Sequence, residues 1–406
     1  MKKKLLVMAA LLLMLLPTAV MAKTVKLWYA WTGQEKEAMM GIVAKYQQVS
    51  GNKVDALMVP FDALQGKYQT MAPQGQGPDV VIGPADWIGP FVQQRLIESV
   101  DGYASSADLN GFMPTVLNAS KYSGKLYGLP ESYKVVALVY NKDLVPNPPK
   151  NSDELIKIGK SLTNDKASKY GLVYDKGNFY YHVGWVGGFG GRILDSKNNP
   201  TFTSKAQIDA AKFVKSLHQA PNQIMPEEVD YNVAMNLFSS KLAGMMITGP
   251  WAIGDLAKSG INFGVTRLPM ISSTNRWPSP LVGPEVVMMS AYSKDKNTAF
   301  DLIKFITSSQ SQETMAKVGH LPSRVDVYTK PSLKANARMY NIIMGFKYQA
   351  EVGSPMPTAP EMNAGVWSNG NTYLSQVLST NKRVEDIAKD VQARANESIK
   401  EMRKRK

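Results

Sequence analysis

Hydrophobic and polar positions follow two rhythms along this chain. Val25, Leu27 and Tyr29 alternate with Lys26 and Trp28, the period of two that marks a short strand. Thr32 and Glu35 follow as T-x-x-E, which predicts a capping box satisfying free backbone N–H groups at a helix start. Met39, Ile42, Val43 and Tyr46 then recur at helical spacing and predict a buried stripe. Gly51 is placed to end that helix in a left-handed conformation. Val54, Ala56 and Met58 alternate with Asp55 and Leu57 in a second strand. Strand, helix and strand in that order predict a parallel pair and an α/β fold.

The alternation recurs downstream. Asp79–Ile82 and Leu138–Tyr140 read as strands, and Met245–Thr248 as another that stops at Gly249-Pro250. Ala210, Phe213, Val214 and Leu217 give one helical stripe, and Ala299, Leu302, Ile303 and Ile306 give another. Pro146-Asn147-Pro148-Pro149 is a connector, because neither a helix interior nor a central strand holds so many prolines. No fixed-period repeat is visible.

The N-terminus has a rhythm of its own. Lys2, Lys3 and Lys4 precede an aliphatic run from Leu5 to Leu16; Pro17 breaks it, and small residues lead to Ala22. That layout predicts a secretory signal peptide over residues 1–22, cleaved near Ala22. An uncleaved anchor is the competing reading, and it would need about 20 apolar residues. The chain has no cysteine, which removes disulfides, thiolate metal sites, cysteine nucleophiles and an N-terminal lipid anchor. Its 406 residues carry a formal charge of +14, but the lysines are scattered and only Lys400–Lys406 is dense. A solvated surface, with no nucleic-acid partner, is the expectation.

Chemistry is sparse and aromatics are well placed. His182, His218 and His320 lack metal-ligand spacing and read as structural; no G-x-S-x-G elbow or P-loop occurs. Gly187-Gly188-Phe189-Gly190-Gly191 does not fit a dinucleotide fingerprint, and tight helix packing or a loop accounts for it. Neither catalytic residues nor a cofactor nor a metal is expected. Trp31, Trp87 and Trp251 each follow a predicted strand, where open α/β sheets bind ligands. Packing of each on its own domain is the competing reading. Together they predict an aromatic-lined cleft, suited to the C–H faces of sugar rings.

Several stretches then form a recognisable set: Gly77-Pro78-Asp79-Val80-Val81, Tyr122–Pro130, Tyr140–Pro149 (YNKDLVPNPP), Gly244–Trp251 (GMMITGPW) and Asn262–Val265. On these the chain resembles the extracellular solute-binding proteins of carbohydrate ABC importers, most of all the maltose/maltodextrin binders. The resemblance implies a two-lobed periplasmic-binding-protein fold with a hinge and an interlobe ligand cleft. It puts residues 23–133 plus 285–327 in lobe 1 and 134–284 plus 328–406 in lobe 2. It implies a non-enzymatic, monomeric periplasmic protein that captures a malto-oligosaccharide or cyclodextrin and presents it to a membrane permease by lobe closure. A secreted glycan-active enzyme and a binder of another solute, such as a polyamine, glycerophosphodiester or metal chelate, are the alternatives. Carried over by position, Asp86 binds hydroxyls, Tyr180 and Trp251 stack or bind hydroxyls, and Trp367 lies beside a C-terminal aromatic pair. Trp31, Glu35, Trp87, Glu131, Tyr133 and Glu285 complete the expected ligand-binding set. The chain departs from the family pattern at Gly83, where a tryptophan is usual, at Lys134 and Asn178, where acids are, and at Gly370, where an arginine is. Trp87 is the expected replacement for the missing tryptophan.

Overall fold

The computed structural model describes residues 22–404; the signal-peptide expectation falls outside the described residues except at its last position. The first strand, Thr24–Tyr29, pairs in parallel with Lys53–Met58, with Leu27 opposite Ala56, and the helix Gly33–Ser50 joins them. Met39, Ile42, Val43 and Tyr46 are its buried residues, as their spacing predicts. Each such burial is worth about 1.5–3 kcal/mol. Gly51 closes the helix at φ 73°. The capping box does not form. Thr32 is the N-cap residue, but its side chain makes no capping bond, and Glu35 turns to a histidine instead.

Two sheets organise the chain. The larger runs Leu321–Pro322, Gly128–Lys134, Leu281–Met289, Val80–Pro84, Thr24–Tyr29, Lys53–Met58, with Ser354–Pro355 added beside Leu281–Met289. The smaller runs Phe263–Thr266, Ala137–Asn141, Ala243–Thr248, Tyr170–Val173. The expected strand at Asp79–Ile82 begins and ends slightly later: Gly83 and Pro84 stay paired, opposite Val286 and Glu285. The expected strands at 138–140 and 245–248 lie inside the observed ones.

Each sheet is covered by helices whose apolar stripes face it. Leu27, Tyr29, Ile82 and Val287 pack with Ile42, Leu302 and Ile306 in one core. Leu138, Leu172 and Met245 pack with Leu155, Val214 and Leu217 in another. Between the sheets the chain passes through only Val135 and Val136, both fully buried. Later it returns from Phe263–Thr266 to Leu281–Met289 through residues 267–280, crossing between the sheets a second time. The C-terminal helices Trp367–Ser379 and Val384–Lys404 pack on each other and on Lys205–His218.

Candidate functional site: an aromatic and charged cluster at the strand ends

Both sheets end a strand in the same way. Val80–Pro84 runs into the 3-10 turn Ala85–Trp87 and the helix Ile88–Gln93. Ala243–Thr248 runs through Gly249 into the 3-10 turn Pro250–Ala252 and the helix Ile253–Lys258. Each turn folds a tryptophan back over the preceding glycine. A Cβ on Gly83 would lie 2.4 Å from the Trp87 ring, and one on Gly249 would lie 2.0 Å from the Trp251 ring. Only glycine permits that approach. The smaller sheet's turn lies close to the first helix: a Cβ on Gly254 would sit 3.2 Å from Oε1 of Gln34, at that helix's start.

Half-buried Tyr180 gathers the aromatics. Its ring centroid lies 6.2 Å from that of Trp251 and 6.3 Å from that of Trp367, while Tyr181 meets Trp251 edge-on at 6.4 Å. Tyr180 sits in the first turn of the helix Phe179–Gly188, where Oδ1 of the N-cap residue Asn178 accepts from its backbone N–H at 3.1 Å. Asn178 therefore serves as a helix cap at a position where the family resemblance leads one to expect an acid. Trp367 opens its helix directly after a π-turn over Met362–Val366, a feature often found at functional sites. That helix can dock because Gly370 lies against Phe179; a Cβ there would meet the ring at 2.3 Å. An arginine at Gly370 would not fit. Trp367 Nε1–H donates to Oδ2 of Asp86 at 2.9 Å, and Asn363 Nδ2 donates to the Asp86 carbonyl, also at 2.9 Å.

Charged groups lie alongside. Lys134 Nζ pairs with Oε1 of Glu285 at 2.8 Å, and both side chains are mostly buried. His320 sits between two carboxylates, its Nε2 3.0 Å from Glu35 Oε1 and its Nδ1 3.0 Å from Glu131 Oε2. Trp31 packs edge-on against the same imidazole at 4.9 Å. Burial opposes charge on His320, but Glu131 and Glu35 outweigh it and raise its pKa to about 10. Burial also acts against the Glu35 carboxylate, and the His320 bond and charge, with that of Lys134, hold its pKa below the ordinary value. Lys134 loses hydration too, yet Glu285, Glu35 and Glu131 raise its pKa overall. Asp86 is pushed up to about 6 by burial, against the Trp367 bond, with the Glu285 charge adding to the rise. The charges of Glu285 and Asp86 also reach the Tyr180 hydroxyl, whose pKa burial raises. The acids, the two cations and the aromatic cluster thus form one neighbourhood.

Eight of the ten sequence-predicted residues lie in or directly against it: Trp31, Glu35, Asp86, Glu131, Tyr180, Trp251, Glu285 and Trp367. Glu131 stands behind His320 and has no exposed surface. Tyr133 stands apart, fully buried, with its hydroxyl 3.0 Å from that of Tyr328 in a neighbouring core. Trp87 adjoins Asp86 in sequence but packs outward, stacked on Phe61 at 5.6 Å and tilted against Phe91. Phe61 remains 51% exposed and had no sequence signal beyond following a strand. Tyr231, whose hydroxyl feels the Glu35 charge, was also not singled out. His320 read as structural because its partners are remote in sequence. His218 is held by Lys176 Nζ at 2.7 Å, and among the described residues neither ring nitrogen of His182 has a partner. The glycine-rich stretch ends the helix Phe179–Gly188; there Gly187 packs against Ser279 and Gly190 takes φ 82°. An open groove between residues 199–204 and the last helix holds none of these residues.

Comparison with known proteins gives the fold its relatives. The profile described as bacterial extracellular solute-binding protein matches residues 41–341. A maltotriose-binding protein of Pyrococcus abyssi is 28% identical over 91% of this chain and 81% of its own length. The maltose/maltodextrin-binding domain from Bdellovibrio bacteriovorus, solved with maltotriose, is 30% identical; the match covers 93% of this chain and 100% of that one, with a TM-score of 0.84. The Thermus thermophilus maltotriose-binding protein, also solved with maltotriose, is 29% identical over 92% of this chain and 100% of its own, with a TM-score of 0.83.

Proposed function

Because this chain belongs to the bacterial extracellular solute-binding protein family, whose members bind solutes and are not enzymes, we propose that it is the exported sugar-capturing component of an ABC importer. Its ligand is a malto-oligosaccharide held between the Tyr180–Trp251–Trp367 cluster and the acids Asp86, Glu285 and Glu35. The observation that carries this reading is the convergence of three half-buried aromatic rings and a buried carboxylate, brought together by turns after strands of both sheets and by the starts of two helices. Flat rings cover the C–H face of a pyranose, and ionised acids accept from its hydroxyls in strong, charge-assisted bonds. A micromolar ligand needs about −8 kcal/mol in all, which two or three such stacked sugars would supply.

The lobes divide at 23–133 plus 285–327 and 134–284 plus 328–406, and lobe closure around the sugar forms the surface presented to the permease. Only tighter binding of sugar to the closed state can drive that step. The protein acts in the periplasm as a monomer after loss of its signal peptide. Phe61, 51% exposed and stacked on the buried Trp87, supports a longer glucan or a cyclodextrin over maltose. Titration calorimetry with maltose, maltotriose, maltoheptaose and β-cyclodextrin tests the reading. Heat from at least one glucan is expected; tightest binding by maltose would remove the preference for size, and silence from all four would remove the sugar itself.

A further inference from the structure

Asp86 is gripped twice by one stretch of chain. Trp367 Nε1–H donates to its carboxylate and Asn363 Nδ2 to its main-chain carbonyl, each at 2.9 Å. The second bond has a cause in the sequence. The turn Ala85–Trp87 runs directly into the helix Ile88–Gln93, and the α-helical donor for the Asp86 carbonyl would be the N–H of residue 90. Residue 90 is proline, which has none. Half-buried Asn363 brings the missing donor from 277 positions away.

The approach of that stretch is built in as well. It starts where Ser354–Pro355 pairs with Leu281–Val282, and Thr358 Oγ1 then donates to the carbonyl of Lys121 at 3.0 Å. There the chain presses on the helix after Asp86: a Cβ on Gly89 would lie 2.1 Å from the Thr358 carbonyl oxygen and 2.9 Å from Pro360 Cδ. Gly89 therefore leaves room for the incoming chain, and Pro90 leaves it an acceptor. The π-turn Met362–Val366 contains Asn363 and hands the chain on to Trp367, so one widened turn supplies both donors.

We propose that Asn363 is a positioning residue for sugar capture, which holds the Asp86 carbonyl and so fixes the turn that aims the Asp86 carboxylate at the ligand. This rests on the sugar-binding reading above and deepens it. A hydrogen bond weakens steeply as its angle departs from linear, so a carboxylate serves a hydroxyl only from a fixed direction. Trp367 holds that carboxylate at Oδ2, and Asn363 holds the peptide from which it projects. Asn363 acts through Asp86 and not on the sugar.

Titration calorimetry of maltotriose into the full mature chain tests this with Asn363→Ala alone, with Asp86→Asn, and with Pro90→Ala. N363A is expected to weaken binding about three- to tenfold, the worth of one neutral hydrogen bond. Added to D86N it should change affinity by less than about twofold, because its effect passes through that carboxylate. Added to P90A, which gives residue 90 an N–H, it should leave affinity close to that of P90A alone, a rescue that a general loss of packing does not produce. Binding by N363A within about twofold of the parent, losses that multiply with D86N, or no rescue by P90A would each overturn the inference. A parent chain that binds neither maltotriose nor maltoheptaose overturns the sugar reading and the inference together. A parent that binds, with an indifferent N363A, overturns the inference alone.

Discussion

The indole of Trp367 donates to the carboxylate of Asp86 at 2.9 Å, joining the start of a C-terminal helix to the turn that follows a central strand of the larger sheet. Asp86 is 6% exposed, so this bond stabilises a charge that burial otherwise disfavours. Trp367→Phe keeps an aromatic face and removes the donor. A stability loss of about 1–3 kcal/mol is expected, the cost of an unsatisfied buried group, together with weaker glucan binding. Denaturant unfolding and calorimetry on the same variant separate the two effects.

Asp86 also predicts how affinity depends on pH. Its native pKa of about 6 lies above the usual 3.8, so a neutral carboxyl is present below that value and a carboxylate above it. A sugar hydroxyl that donates to Asp86 favours the carboxylate. Maltotriose affinity should therefore rise as the pH increases through about 6, and Asp86→Asn should flatten that rise. An unchanged slope in the variant would assign the dependence to another group.

His320 gives a stability prediction of the opposite range. Its native pKa of about 10 exceeds the ordinary imidazole value of 6.5, so the folded chain holds a proton that the unfolded chain releases. The stabilisation is fully present below about 6.5 and is lost as pH rises through about 10. Thermal midpoints should fall across that window in the parent chain. His320→Gln should cost about 3–5 kcal/mol at neutral pH, because Glu131 is left buried without its cation, and should show a shallower fall.

The two turn tryptophans should behave differently when cut back. Trp87 is 4% exposed and packed on Phe61 and Phe91, so Trp87→Ala is expected to destabilise by about 3–5 kcal/mol. Trp251 is half-buried beside Tyr180 and Tyr181, and Trp251→Ala should lose sugar affinity with a smaller shift in thermal midpoint. Calorimetry paired with thermal melts reads both, and equal stability losses would place Trp251 in the core.

Local patterns in the sequence reached far into the fold. The stripe Met39–Tyr46, the stop at Gly51 and the strands around Val81, Val139 and Met246 were legible because each depends on neighbours within a few residues. The capping box failed for a reason no window of that size contains: Glu35 found a stronger partner in His320, 285 positions away. Tyr133 follows the same rule. The face it turns to Tyr328 depends on how its strand sits between two others.

By itself, then, the sequence determined the α/β class, the strand–turn–tryptophan units and the acids and aromatics to look among, since periodicity and turn chemistry are local properties. Which of those residues share a site was decided only by tertiary structure. Lys134 meets Glu285, Asp86 meets Trp367 and His320 joins Glu35 to Glu131 because two sheets and a C-terminal helix bring distant segments together. Burial then makes those charges interact strongly, a coupling that spacing along the chain does not encode.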